Sequence, residues 1–314
     1  MTTSHSTAQE SPRDLSKFAW FSVGAAISTI ALKYIAYEVT GSVSLLSDAM
    51  ESVVNLVAAI VALIALKLAA KPANSRYTFG RSKAEYFSAA LEGAMIFGAA
   101  ALIMFAAIGR LLRPVGVENL GIGIVISILA GLVNAGVGLV LLRAGKKYNS
   151  PTLTADAKHL FTDIITSVGV VIGVGLVGLT GWMRLDPVIA IIVALNIIYV
   201  GTVLMRDALA GLMDVALPDE ENNLIISVLR EHAETEKITF HGLQTRVSGH
   251  ARHIKFDALV PDNWTVKQGH DFAEHLVTHI QEVLDDAIVT VHIEPINDPE
   301  SYKDIPQGFI PLGE

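Results

Sequence analysis

The sequence contains no cysteine. Disulfides, thiolate metal sites and cysteine nucleophiles are excluded, so any metal must be held by nitrogen and oxygen. Charge is also scarce: Asp, Glu, Lys and Arg make up 17% of the 314 residues, against about 25% in an ordinary soluble domain. A chain this poor in charge cannot clothe a purely water-soluble surface. It is not disordered either, because 52% of it is hydrophobic and its mean hydropathy is +0.49. The 25 glycines follow no period, which excludes a collagen-like chain. The net charge of −8 argues against nucleic acid as a partner.

What is present is unevenly placed. From Val39 to about Val203 the sequence is almost continuous apolar helix with short polar breaks, and from Asp214 onward it reads as an ordinary soluble domain. Eight of the ten histidines lie between His232 and His292. A spanning helix needs about 20 mostly apolar residues, and six segments meet this: 16–37, 43–67, 85–110, 119–143, 155–180 and 186–206. Thr40-Gly41, the Pro72–Lys83 loop, Pro114-Val115-Gly116, Tyr148–Pro151 and Arg184–Pro187 break them. The first is preceded by a polar start and has no small-residue cleavage site, so it does not read as a signal peptide.

Orientation follows from the basic residues. One side carries Arg13, Lys17, Lys67, Lys71, Arg76, Arg81, Lys83, Arg143, Lys146, Lys147 and Arg206; the other carries Arg110, Arg113 and Arg184. The positive-inside rule puts both termini in the cytoplasm, which implies a multi-pass protein of the inner (cytoplasmic) membrane, in contact with membrane lipid. The tail alternates: helix over 219–233, strands over 237–247 and 252–260, helix over 266–284, strand over 288–293. Ile254, Phe256, Ala258 and Val260 share one strand face. The expected fold is an α-helical membrane protein of six transmembrane helices with a cytoplasmic α+β (α-β-β-α-β) C-terminal domain. Its expected divisions are an N-terminal tail (1–15), a transmembrane domain (16–210), a cytoplasmic domain (211–295) and a C-terminal tail (296–314).

Ionisable groups inside spanning helices are costly and usually functional. In the second span Asp48, Glu51, Ser52 and Asn55 recur at i, i+3, i+4 and i+7, one helix face. In the fifth, Asp156, His159 and Asp163 recur at i, i+3 and i+7. Two such stripes on facing helices supply about four nitrogen and oxygen donors, suited to Zn²⁺, Fe²⁺, Mn²⁺ or a similar divalent ion. The competing reading is interhelical polar glue or a structural ion pair. Asn134 and Asn196 read as packing residues, and Lys33 carries no assigned role. In the tail, His292 and Glu294 are two apart on a strand and share a face.

Together, the stripes, the six spans and the tail resemble the cation diffusion facilitator family, near its bacterial ferrous-iron and zinc efflux branch. The resemblance runs from about Trp20 to Pro295. Its most specific stretches are Gly41–Leu46, Phe79–Glu85 and Ala155–Asp163. It implies a ferredoxin-like tail and a homodimeric transporter, not an enzyme, that exports divalent metal in exchange for protons. The transport ligands carry over as Glu51, Asn55, His159 and Asp163, with Asp48 as a supplement one turn before Glu51 and Asp156 behind the ligands. Asn55 departs from the pattern, a neutral amide standing where the family usually has a carboxylate. That leaves the cargo open among Zn, Fe, Mn, Co, Ni and Cd, with Zn²⁺ or Fe²⁺ also expected as a bound regulatory ion.

The resemblance further implies a cytoplasmic metal site at His241, Asp257, His270, His292 and Glu294, and a dimer charge interlock of Lys83 with Asp214. In the loop after the second span, Asn74, Tyr77 and Arg81 replace the ligands of some relatives, so no metal is expected there. His232, His250, His253, His275 and His279 read as surface histidines. The alternative to antiport is a metal-gated channel or metal-sensing membrane protein without proton coupling.

Overall fold

The structure is a computed structural model that describes residues 14–40, 43–113, 121–182, 184–236, 238–303 and 305–312. The N-terminal segment 1–13, the breaks at Gly41 and Pro114-Val115-Gly116, and Lys237 at the expected start of a strand lie outside the described residues. So do the side chains of Asp48 and Glu51. The chain divides into two compact units, 1–209 and 210–314.

The first unit is built of long helices: α1 (Ser16–Thr40), α2 (Val43–Ala69), α3 (Ala84–Leu112), α4 (Gly121–Lys147), α5 (Pro151–Thr180) and α6 (Leu185–Leu212), the last ending at the start of the second unit. Four stretches are long and apolar enough to cross a membrane among the described residues: Ser16–Ile35, Ala84–Leu112, Ile128–Lys147 and Pro187–Leu212. Helices α2 and α5 carry the polar stripes. Large apolar side chains such as Phe105 and Leu102 point outward, 80% and 73% exposed, as expected where lipid is the solvent.

Buried residues of α1, α2, α4 and α5 form one cluster around Ala19, Val23, Ala59, Leu63, Leu66, Leu141 and Leu160. A second joins α3, α5 and α6 through Ile96, Ala100, Ala155, Ile197 and Leu204. Helix α5 belongs to both. Where α3 meets α6 the helices approach through glycine: a Cβ on Gly93 would stand 3.3 Å from the Gly201 carbonyl oxygen, and one on Gly201 3.2 Å from the Gly93 oxygen. Small residues let helices pack closely where no hydrophobic effect drives them together. Glu85, fully buried at the start of α3, accepts from the Ser150 hydroxyl, and its carbonyl oxygen accepts from Thr152 Oγ1 at 3.2 Å. These bonds tie the first turn of α3 to that of α5.

The second unit runs α7 (Asp219–Glu236), β1 (Thr239–Ser248), β2 (Ala251–Val260), α8 (Val266–Val283), β3 (Ala287–Pro295) and a short 3₁₀ turn, Pro299–Tyr302. Its sheet has the order β1-β2-β3, with β1 and β2 antiparallel and β2 and β3 parallel. The parallel pair is joined through α8, as a parallel connection requires. Ile254, Phe256, Ala258 and Val260 are buried together with Ile225 and Leu229 of α7 and Leu276 and Ile280 of α8. Thr265 opens α8 with a reciprocal capping box to Gln268.

Candidate metal sites

Asn55 of α2 meets His159 and Asp163 of α5. Its Nδ2 donates to Asp163 Oδ2 at 2.5 Å, and its Oδ1 lies 2.9 Å from His159 Nε2. An amide oxygen only accepts, so in this arrangement His159 Nε2 carries the proton and donates it. One planar amide thus bridges an imidazole and a carboxylate that sit one turn apart on α5. His159 is 6% exposed, and its Nδ1 finds no hydrogen-bond partner among the described residues. Asp156, one turn earlier, is 1% exposed. Its Oδ1 accepts from Ser22 Oγ of α1 at 2.9 Å, while Oδ2 is buried without a hydrogen-bond partner among the described residues.

Two residues that the sequence reading passed over belong here. Glu92 of α3 is fully buried, and the Asp156 carboxylate acts on it as a charge. The signal was a carboxylate inside the apolar run Ala90-Leu91-Glu92-Gly93-Ala94, visible by the same rule that singled out α2 and α5. Ser22, a hydroxyl among apolar residues, gave no comparable signal. Lys33 of α1 also acts on the Asp163 carboxylate as a charge, which gives this lysine a neighbour that spacing alone did not.

In the second unit, strand register sets His241, Asp257 and His292 side by side. His241 pairs with Asp257 across β1 and β2, and Asp257 pairs with His292 across β2 and β3. His241 Nε2 lies 3.2 Å from Glu294 Oε2 and 3.7 Å from Asp257 Oδ2. His292 Nδ1 lies 3.4 Å from Glu294 Oε1 and 3.6 Å from Asp257 Oδ1. Gly242, at φ +65°, lets β1 come this close: a Cβ there would stand 2.5 Å from Asp257 Oδ2. By strand alternation the group lies on the face opposite Phe256 and Ala258.

His270 is exposed on α8, and among the described residues it takes part in none of these contacts. His232 is buried, 9% exposed, and not a surface histidine. Asp214 accepts a hydrogen bond from Arg246 Nη1 at 3.0 Å. In the loop after α2, the Asn74 side-chain oxygen accepts from the backbone N–H groups of Arg76 and Tyr77, each at 3.0 Å, so it is engaged in the turn.

The cation efflux transmembrane domain model matches residues 19–213, and the cation efflux protein cytoplasmic domain model matches residues 217–296. The chain belongs to the cation efflux family. Among its relatives, an uncharacterized transporter of Synechocystis sp. is 48% identical over 294 residues, 94% of each chain. The cation-efflux pump FieF of Klebsiella pneumoniae is 28% identical over 283 residues, 90% of this chain and 93% of its own length. The FieF pump of Citrobacter koseri is 30% identical over 267 residues, 85% and 88%. Cation efflux proteins are multi-pass membrane transporters. In this one the helices α2 and α5 bring the predicted Asn55, His159 and Asp163 together.

Proposed function

We propose that this cation efflux protein exports a divalent metal ion from the cytoplasm in exchange for protons. It works as a homodimer that spans the inner membrane six times, with both termini cytoplasmic. The observation that carries this reading is the Asn55–His159–Asp163 cluster, which joins two polar helices inside an otherwise apolar bundle. An amide oxygen, an imidazole nitrogen and a carboxylate are the donors that Zn²⁺, Fe²⁺ or Mn²⁺ accept. Glu51 and Asp48, one and two turns before Asn55 on α2, are the further ligands, and Asp156 stands behind His159.

Exchange follows from ligand chemistry. The cation needs an imidazole lone pair and a carboxylate, so binding it displaces protons from the site, and returning protons eject it. In the resting arrangement His159 Nε2–H is held by the Asn55 oxygen. As the ion binds Nε2 that proton shifts to Nδ1 and the ion draws the same oxygen to itself, so the protons exchanged are those of an imidazolium or a protonated carboxylate of the site. Rocking of the site helices against the rest of the bundle supplies alternating access. In the tail, His241, Asp257, His292 and Glu294 hold a regulatory Zn²⁺ or Fe²⁺, and Lys83 with Asp214 closes the dimer.

The test is flux in proteoliposomes with a pH gradient. Saturable metal uptake that collapses with the gradient is expected, and His159→Ala or Asp163→Ala abolishes it, since lost ligands exceed the 10–100-fold cost typical of losing their supports. Flux indifferent to the gradient indicates a metal-gated channel. Unchanged flux in both variants removes these residues from the site.

A further inference from the structure

We propose that His232, His275 and His279 form a separate divalent-metal site on the helical side of the C-terminal unit. His275 and His279 are four apart on α8, one turn, and Glu282 continues the same stripe at i+7. Across from them on α7 stand Glu231 and His232. These five residues and Thr278 line a groove of about 270 Å³. His232 Nε2 lies 3.1 Å from His279 Nδ1, and the rings of His232 and His275 have centroids 5.2 Å apart.

The spacing favours an ion. Two nitrogens bound tetrahedrally to zinc at 2.0–2.1 Å are about 3.3 Å apart, so His232 and His279 already stand close to ligand separation. The bond between them requires one neutral ring to donate to the other, and His232 makes it from a site only 9% exposed, edge-on to Phe272 at 6.0 Å. Among the described residues the three rings do not yet converge on one point. Loading the site therefore draws in His275, whose ring stands at 89° to His232 and is exposed. A carboxylate of Glu231 or Glu282 completes four nitrogen and oxygen ligands. The ion joins α7 to α8. The site is separate from the His241–Asp257–His292–Glu294 group, which is built on the strands, so it does not depend on the transport reading.

The experiment counts Zn²⁺ bound to the purified full chain in detergent by equilibrium dialysis, with Co²⁺ absorption reporting tetrahedral coordination. Wild type is compared with His275→Ala, His279→Ala, their double variant and Asp257→Ala/His292→Ala. The double variant is expected to bind one fewer Zn²⁺ per chain and to lose part of the Co²⁺ band. Combining it with Asp257→Ala/His292→Ala subtracts further. His275 is exposed, so His275→Ala tests the site without disturbing the core, and it should weaken that Zn²⁺ at least 10-fold. Zn²⁺ counts and Co²⁺ spectra equal to wild type in both His275→Ala and the double variant overturn the proposal.

Discussion

Asn55 is a neutral bridge in a place where a charged ligand would repel its neighbour. Its Nδ2–H group donates to Asp163 at 2.5 Å, so the empty site contains a hydrogen bond where a carboxylate would set two like charges face to face. Asn55→Asp is therefore expected to make the site more dependent on bound metal and to move its preference toward Zn²⁺, which gains an anionic ligand. Transport of Zn²⁺, Fe²⁺ and Mn²⁺ measured side by side checks this, and an unchanged ranking takes Asn55 out of the ligand set. Asp156 is only half satisfied: its Oδ1 accepts from the Ser22 hydroxyl, while Oδ2 has no hydrogen-bond partner among the described residues. Asp156 and Glu92 are both buried acids, and Asp156 acts on Glu92 as a charge; the three-residue cluster uses neither.

Helix ends and their ties decide local stability. The Asp14 carboxylate accepts the Ser16 N–H at 2.8 Å at the head of α1. Hydrogen bonds from the Ser16 side chain and backbone hold its carboxyl below the usual carboxylate range. A lowered folded-state value means that this stabilisation is present above the unfolded value of about 3.9 and is lost as pH falls through the folded value. Asp14 is well exposed, so Asp14→Ala is expected to cost only about 0.5–1 kcal/mol at neutral pH. The two proteins should converge once pH falls below the folded value; hydrogen exchange in the first turn of α1 measures the difference, and a gap that persists in strong acid contradicts the cap.

In the second unit Arg252 makes a fork to Glu221, with Nε to Oε2 at 2.8 Å and Nη2 to Oε1 at 2.7 Å, and donates to the Asp285 carbonyl oxygen at 2.8 Å. The Glu221 bonds raise the Arg252 pKa further, so the guanidinium stays charged throughout the useful pH range. Arg252→Ala leaves a half-buried carboxylate without its partner, an expected loss of about 3 kcal/mol in the unfolding of this unit by denaturant. A loss within error of zero shows the fork to be a surface ion pair of no consequence.

At the scale of the molecule, each unit has its own buried core, so metal binding in the tail can be read as stabilisation of that unit. Zn²⁺ should raise the thermal midpoint of the full chain with the logarithm of its concentration once sites begin to fill. The rise should be large at about pH 7.5 and much smaller at about pH 5.5, because a protonated imidazole cannot ligate. Calorimetry at both values checks it, and an equal response at both rules out histidine ligation.

The helical bundle, the α-β-β-α-β order of the tail and the stripe on α5 were legible along the chain, because helix and strand periods are local. Ile254, Phe256, Ala258 and Val260 read as one buried face and are one. Which histidines share a site was not legible. His270 and His275 look alike in sequence, yet only His275 faces His232, because that depends on how α8 packs against α7. Glu92 carried a readable signal as a lone acid in an apolar run, but its relation to Asp156 comes from α3 and α5 meeting 64 positions apart in the chain. Local periodicity determined the elements and their polar faces; tertiary packing alone decided which faces meet, since contacts between distant segments leave no trace in the spacing of neighbours.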